Sequence, residues 1–180
     1  MATVEPIRDL YKIQIVEEIL KKHCLRDLLI FTIGINCGLR ISDILALDVK
    51  DVYRKDSIEL IEKKTKKYKK FPLNSKLKPM IAEFVKDRNI DEPLFMSVFK
   101  NRLERYAVYY IIKNACEKAG IKGKIGTHTL RKTFGYHHYK KFKDIAMLQK
   151  IFNHSSPQVT LRYIGIEEDE IFESYRNFIL

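Results

Sequence analysis

Cysteine is scarce in this chain of 180 residues, and Cys24, Cys37 and Cys116 are widely spaced and form no CxxC pair. That argues against a disulfide framework and supplies no zinc-ligand spacing. Long apolar runs are missing too: the longest, Leu28 to Leu39, is 12 residues between Asp27 and Arg40, too short to span a bilayer. The N-terminus, MATVEPIRDL, has no basic stretch followed by an apolar one, so no secretory signal is visible. No Gly/Ser/Pro-rich linker, internal repeat or low-complexity block divides the chain, which therefore reads as a single domain over residues 1–180. What is present is 46% hydrophobic residues, enough to bury a core, and 32% charged residues, which argue against a membrane protein. The expectation is a reduced, cytoplasmic, basic globular domain without a membrane partner.

The formal charge is +11, and it is segregated. From Lys63 to Lys78 there are eight lysines and no acid; from Lys100 to Lys150 there are 13 basic residues against Glu104, Glu117 and Asp144. The remaining segments are net acidic. Such an arrangement lets one face meet a polyanion while the other keeps the protein soluble, which points to nucleic acid.

Apolar spacing predicts helices over Ile13–Lys22, Leu25–Cys37 and Ile41–Leu47, with Gly38 closing the second. Val49–Tyr53, Ser57–Glu62 and Tyr68–Leu73 carry β-branched and aromatic residues and read as a small antiparallel sheet, its last hairpin bearing lysines. Helical period returns over Leu77–Arg88, Asn101–Ala119 and Thr129–Lys141, with Gly120 as a stop. Asp144 caps Ile145–Phe152, and Ser156 with Pro157 opens a short helix ending near Tyr163. The tail, Glu167 to Leu180, starts acidic and then places Ile171, Phe172, Tyr175, Phe178 and Ile179 at helical spacing. The chain is mainly α with one small sheet.

Several polar residues could carry chemistry, and each has an ordinary structural reading as well. Arg40 sits at a helix junction where its fork can meet a phosphate, or pair with Asp43 or Asp48. His128 and Arg131 form H-x-x-R, one turn apart on one helical face. His154 reads as a capping or core histidine, Tyr163 as a packed ring, and Lys64 as part of a solvated KTKKYKK run.

Their combination is more specific. GLRIS, a lysine hairpin 24 residues after the arginine, HTLR, NHSS and RYIGI follow one another in order. This set resembles the catalytic domain of the tyrosine recombinases, the phage integrase family, over nearly the whole chain. The resemblance implies helices around a three-stranded antiparallel sheet. It also implies a site-specific DNA recombinase or integrase that cleaves and rejoins strands through a 3′-phosphotyrosyl intermediate, to integrate, excise or invert a DNA element. The family's catalytic set falls on Arg40, Lys64, His128, Arg131, His154 and the nucleophile Tyr163, with Asp43 at the supporting acidic position. Lys63, Lys66, Lys67, Lys69 and Lys132 are expected to bind the DNA backbone.

The expected partners are double-stranded DNA, other copies of the chain in a synaptic tetramer, and accessory DNA-bending proteins. No cofactor and no metal are expected: two arginines take the charge of the phosphate, and the sequence offers no carboxylate cluster to hold an ion. The place of action is the bacterial cytoplasm, on the nucleoid. The alternatives are a type IB topoisomerase-like nicking-closing enzyme, which shares the chemistry, and a non-catalytic DNA-binding regulator. Three features depart from the family: its N-terminal core-binding domain is absent from this chain, Asn153 stands where Gly is usual, and the crowded hairpin leaves Lys66 as an alternative to Lys64 for the acid. Asn tolerates the left-handed backbone that the glycine serves. The resemblance also implies that the apolar stripe of the tail packs on a neighbouring subunit.

Overall fold

Apolar residues on every side make Leu25–Cys37 the helix around which the others pack. The computed structural model describes residues 4–179; the side chains of residues 167–171 and 174, Ile171 of the tail stripe among them, lie outside the described residues, as does Leu180. In chain order the helices are Leu10–His23 (α1), Leu25–Cys37 (α2), Ile41–Ile44 (α3), Leu77–Val85 (α4), Arg105–Lys118 (α5), Thr127–Phe142 (α6), Ile145–Phe152 (α7), Pro157–Ile164 (α8) and Ile166–Asn177 (α9). Ser57–Ile61 (β1) pairs antiparallel with Tyr68–Pro72 (β2), Ile58 opposite Phe71 and Ile61 opposite Tyr68. Among the described residues no helix is long and apolar enough to cross a membrane.

α2 is enclosed by α1, α4, α5 and α6, and its Leu29, Ile30, Phe31 and Ile33 are fully buried. Each such side chain contributes roughly 1.5–3 kcal/mol by leaving water. α6 lies close on α2 because Gly34 has no side chain: a Cβ there would stand 2.7 Å from Leu130. That approach sets the first turn of α6 beside the end of α2. A second apolar cluster, Leu148, Phe152, Ile164 and Ile166, packs under Phe134 and Tyr136 of α6 and holds α7 and α8 on its far side.

Local capping matches the sequence. Asp144 accepts the Met147 N–H at 2.8 Å, and Ser156 accepts that of Val159 at 3.2 Å with Pro157 at the first helical position. Gly38 closes α2 in the left-handed region, φ 62°.

The expected strand over Val49–Tyr53 does not form, so the sheet has two strands among the described residues and not three. Val49–Asp51 is a 3₁₀ turn, with the Asp48 N–H donating to the Asp51 carboxylate at 2.8 Å. Val49 and Val52, three residues apart, both face the core, as one side of a 3₁₀ turn allows and a strand would not. The two aspartates, Asp48 and Asp51, three apart, bind the turn's backbone groups locally. The N–H groups of Val49 and Lys50 go to the carbonyls of Glu92 and Ile90, away from the sheet. Likewise α5 starts at Arg105, later than the expected Asn101, because Met96 bridges Arg102 around a tight turn.

Candidate active site

The left-handed turn at Gly38 sends the chain through Leu39 to Arg40, the extended residue before α3. The Arg40 guanidinium is largely buried, and its Nη1 donates to Glu62 Oε1 at 2.6 Å. The expected partners were Asp43 or Asp48; Asp48 instead pairs with Arg102, and buried Asp43 accepts the Lys63 backbone N–H at 3.0 Å. Asp43 thus ties the hairpin to α3. Its other oxygen, Oδ2, is buried without a hydrogen-bond partner.

The hairpin turns on Glu62, whose carbonyl accepts the Lys66 N–H at 2.9 Å and whose N–H donates to the Lys67 carbonyl at 3.0 Å. Lys66 takes up the turn's positive φ of 56°. Lys64 lies inside this loop and lines a cleft of about 250 Å³ with Arg40, Arg105, His128 and Arg131. Lys66 is exposed and does not line it.

The first turn of α6 supplies His128 and Arg131. Arg131 is 3% exposed; its Nη1 donates to the Gly38 carbonyl and its Nη2 to the Phe152 carbonyl at 3.0 Å, with the guanidinium 4.3 Å from the Phe152 ring centroid. One side chain therefore joins the ends of α2 and α7. Burial is the main influence drawing its pKa down from the ordinary arginine value.

Asn153 ends α7 in the left-handed conformation, φ 55°, as expected for a residue standing in for glycine. The turn brings the His154 Nδ1 to 3.1 Å from the Thr160 hydroxyl on α8. Burial, helped by Arg131 and Arg40, pushes the His154 pKa down to about 4. Tyr163, one turn after Thr160, sets its ring edge-on against Phe152 and His154, with centroids at 5.6 and 5.1 Å. Its hydroxyl is 3.3 Å from His128 Nδ1. Desolvation raises the phenol's pKa, while Arg131 and Arg40 oppose that rise. Desolvation and the charges of Arg105, Arg131, Arg40 and Lys132 lower that of His128, which keeps the imidazole neutral near pH 7 and able to take a proton.

All six expected catalytic residues and Asp43 thus converge on one region, but the five backbone-binding lysines divide. Lys63 and Lys66 are exposed. Lys67 donates to the Asn153 side chain at 2.7 Å, and Lys69 donates to the Ile151 carbonyl and, at 3.2 Å, that of Lys150, so both dock the hairpin on the C-terminal end of α7. Lys132 turns inward: it is 4% exposed, with its ammonium 5.0 Å from the Tyr163 ring centroid.

Glu62, Thr160 and Arg105 were not singled out from sequence. Strand alternation does place Glu62 on the face of Ile58 and Leu60, an acid at a core position, and that was a legible signal. Outside the cleft, His23, Cys24 and Asp27 offer potential metal ligands. The Asp27 carboxylate, however, already accepts from His23 at 2.7 Å and from Arg26 at 2.8 Å, which reads as a clasp between α1 and α2.

Residues 7–170 match the phage integrase family. The chain is 50% identical to the probable integrase/recombinase YoeC of Bacillus subtilis (strain 168), over 99% of this chain and 98% of that protein. It is 26% identical to a tyrosine recombinase XerC of Thermodesulfovibrio yellowstonii, over 83% of this chain and 53% of the relative, so it spans about half the length of that protein. In fold it is similar to the crystal structure of XerA recombinase, with a TM-score of 0.77 at 21% identity, covering 99% of this chain and 67% of that one. Matched from near its start to near its end, and sharing half its residues with a relative that it covers almost entirely, the chain belongs to the phage integrase family, the tyrosine recombinases.

Proposed function

We propose that this chain is a site-specific DNA recombinase that cleaves and rejoins strands through a phosphotyrosyl link, with residues 1–180 acting as its catalytic domain in the cytoplasm. The observation that carries the reading is the Tyr163 hydroxyl 3.3 Å from His128 Nδ1, beside the cleft that Arg40 and Arg131 line. In cleavage, Tyr163 Oη attacks phosphorus and forms a P–O bond as the bond to the 5′ oxygen breaks. The phenolic proton passes to His128, and the departing 5′ oxygen takes a proton from Lys64. Arg40 and Arg131 meet the charge that builds on the two non-bridging oxygens, the task that a divalent ion performs in other phosphoryl-transfer sites. His154 donates a hydrogen bond to one of those oxygens. Rejoining reverses each transfer: a 5′-hydroxyl from a second strand gives its proton to Lys64 and attacks phosphorus, and Tyr163 leaves with the proton held by His128. The phosphodiester's free energy stays in the covalent link, so no nucleotide cofactor is consumed.

Duplex DNA is the partner that the segregated charge supports, with exposed Lys63 and Lys66 beside the cleft tracking the backbone. Self-association is supported by the C-terminal segment, where Phe172 and Tyr175 of α9 and Phe178 and Ile179 just after it leave an apolar surface open to solvent. The synaptic tetramer and accessory DNA-bending proteins are the further partners of this reading. Sequencing the DNA trapped covalently by the wild-type protein in its source cell defines the cleavage site, and a nicked suicide duplex of that sequence then tests the chemistry. Tyr163→Phe should abolish the adduct on a denaturing gel and leave affinity nearly unchanged, and the wild-type protein should cleave in excess EDTA. An adduct that persists in the mutant sinks Tyr163 as nucleophile.

A further inference from the structure

A carboxylate buried beside a cationic cleft needs an explanation, because removal from water is unfavourable unless its oxygens are paired. Glu62 is 0% exposed, and both oxygens are taken by groups that belong to different parts of the reaction site. Oε1 accepts from Arg40, and Oε2 accepts the Thr65 hydroxyl, each at 2.6 Å. Its backbone closes the turn as well, through Lys66 and Lys67, so Lys64 lies in a loop whose side chain and main chain are both tied to Glu62. Asp43 holds the same loop from α3 through the Lys63 N–H.

We infer that Glu62 is a positioning residue that couples the Arg40 guanidinium to the loop carrying Lys64, so that phosphate clamp and proton donor keep one spacing. Two parts of this arrangement would be less constrained without it. Arg40 sits at a helix junction where its side chain has several staggered choices, and the Glu62 bond at Nη1 selects one and leaves the rest of the fork for a phosphate oxygen. Lys64 lies on the six-residue turn between β1 and β2, which apart from Glu62 is held by the Lys63 N–H on Asp43 and by Lys67 on Asn153 at the end of α7. The two groups act on different oxygens of one phosphorus, Arg40 on a non-bridging oxygen and Lys64 on the leaving oxygen. A shift of either by about 1 Å lowers the rate by up to roughly 10²-fold.

The inference rests on the roles given above to Arg40 and Lys64. Its test uses single-turnover cleavage of the suicide duplex with three scissile linkages: ordinary phosphate, a 5′-bridging sulfur that leaves without a proton, and a neutral methylphosphonate that needs less cationic clamping. Glu62→Ala should slow cleavage of the phosphate by roughly 10- to 100-fold, bind DNA no more weakly, and recover in part on each of the other two linkages. Glu62→Gln keeps an acceptor for Arg40 and a donor toward Thr65, and should retain most of the rate. Thr65→Val frees only the loop, so its loss should recover on sulfur and not on methylphosphonate.

A purely structural glutamate would give a loss equal on all three linkages, and that result overturns the coupling, as does a wild-type rate in Glu62→Ala. Should Glu62→Ala fail a thermal-melt check of folding, the Thr65→Val and Glu62→Gln pair decides by the same criteria. Lys64→Ala and Arg40→Ala run alongside. If these do not recover on sulfur and methylphosphonate respectively, the site reading itself falls and the coupling with it; if they do and the Glu62 and Thr65 variants do not, the coupling alone is wrong.

Discussion

Acidifying the free protein from pH 6.5 to pH 4 should lower its stability through His154. Burial, with Arg131 and Arg40, holds that ring's pKa near 4 against an ordinary 6.5. In this window the unfolded chain protonates the imidazole while the folded chain keeps it neutral. The unfolded state therefore binds more protons, and stability rises with pH across the window; the penalty is complete below the folded pKa and absent above the unfolded one. A shift of that size corresponds to about 3 kcal/mol at 1.36 kcal/mol per unit, and screening of a ring that is only partly buried reduces the expectation to about 1–2 kcal/mol. Midway through the window the slope approaches roughly 1 kcal/mol per pH unit.

Urea unfolding of the wild-type protein and of His154→Gln at several pH values isolates this ring, because the depressed titrations of His128 and His138 are common to both and cancel in the difference. Parallel stability curves would refute the reasoning. DNA should reverse the effect. A phosphate beside His154 favours the imidazolium, so binding should take up a proton in the same window, and calorimetry in two buffers of different ionisation enthalpy reads that uptake directly.

The remaining expectations follow from single contacts. Lys64→Ala should cut cleavage of normal DNA strongly and recover on the 5′-sulfur duplex; recovery in Lys66→Ala in its place would move the acid role two residues along the hairpin. Thr160→Val removes the one hydroxyl that joins His154 Nδ1 to the Ser156 carbonyl, at 3.1 and 3.2 Å, and should slow cleavage about tenfold with a stability loss of about 1 kcal/mol, since that hydroxyl fixes the orientation of the His154 ring. A melt and a single-turnover rate on the variant check both parts, and an unchanged rate removes Thr160 from the reaction. Deleting residues 167–180 keeps buried Ile166 and should spare folding and single-strand cleavage while impairing the pairing of two sites in a synapsis assay. A truncated chain that unfolds would mean that the tail completes its own core. DNA affinity should fall by orders of magnitude between low and physiological salt, as phosphate contacts by lysine and arginine dictate, and binding isotherms at several ionic strengths measure the slope.

What the sequence determined by itself were features whose causes lie within a few residues. Periodic apolar positions set α2 to the residue, Gly38 ended it, Asp144 and Ser156-Pro157 opened α7 and α8, and Asn153 took the left-handed turn. The order and spacing of Arg40, Lys64, His128, Arg131, His154 and Tyr163 were legible too, but as a set only through their resemblance to the tyrosine recombinases, since each residue alone has an ordinary structural reading. Only the tertiary structure decided how they are held. Arg40 had acids nearby in sequence at Asp43 and Asp48, yet it pairs with Glu62, 22 residues on, because the hairpin returns that carboxylate to the helix junction while Asp43 is turned to the Lys63 N–H. Lys132 carries the same charge as exposed Lys63 and Lys66, but its place on α6 points it at the Tyr163 ring. Val49–Tyr53 looked like a strand because β-branched and aromatic residues in a short run do not exclude a turn whose backbone finds partners in the 90s loop. Charge and period are local, whereas the choice among several carboxylates or carbonyls depends on which of them packing brings within 3 Å.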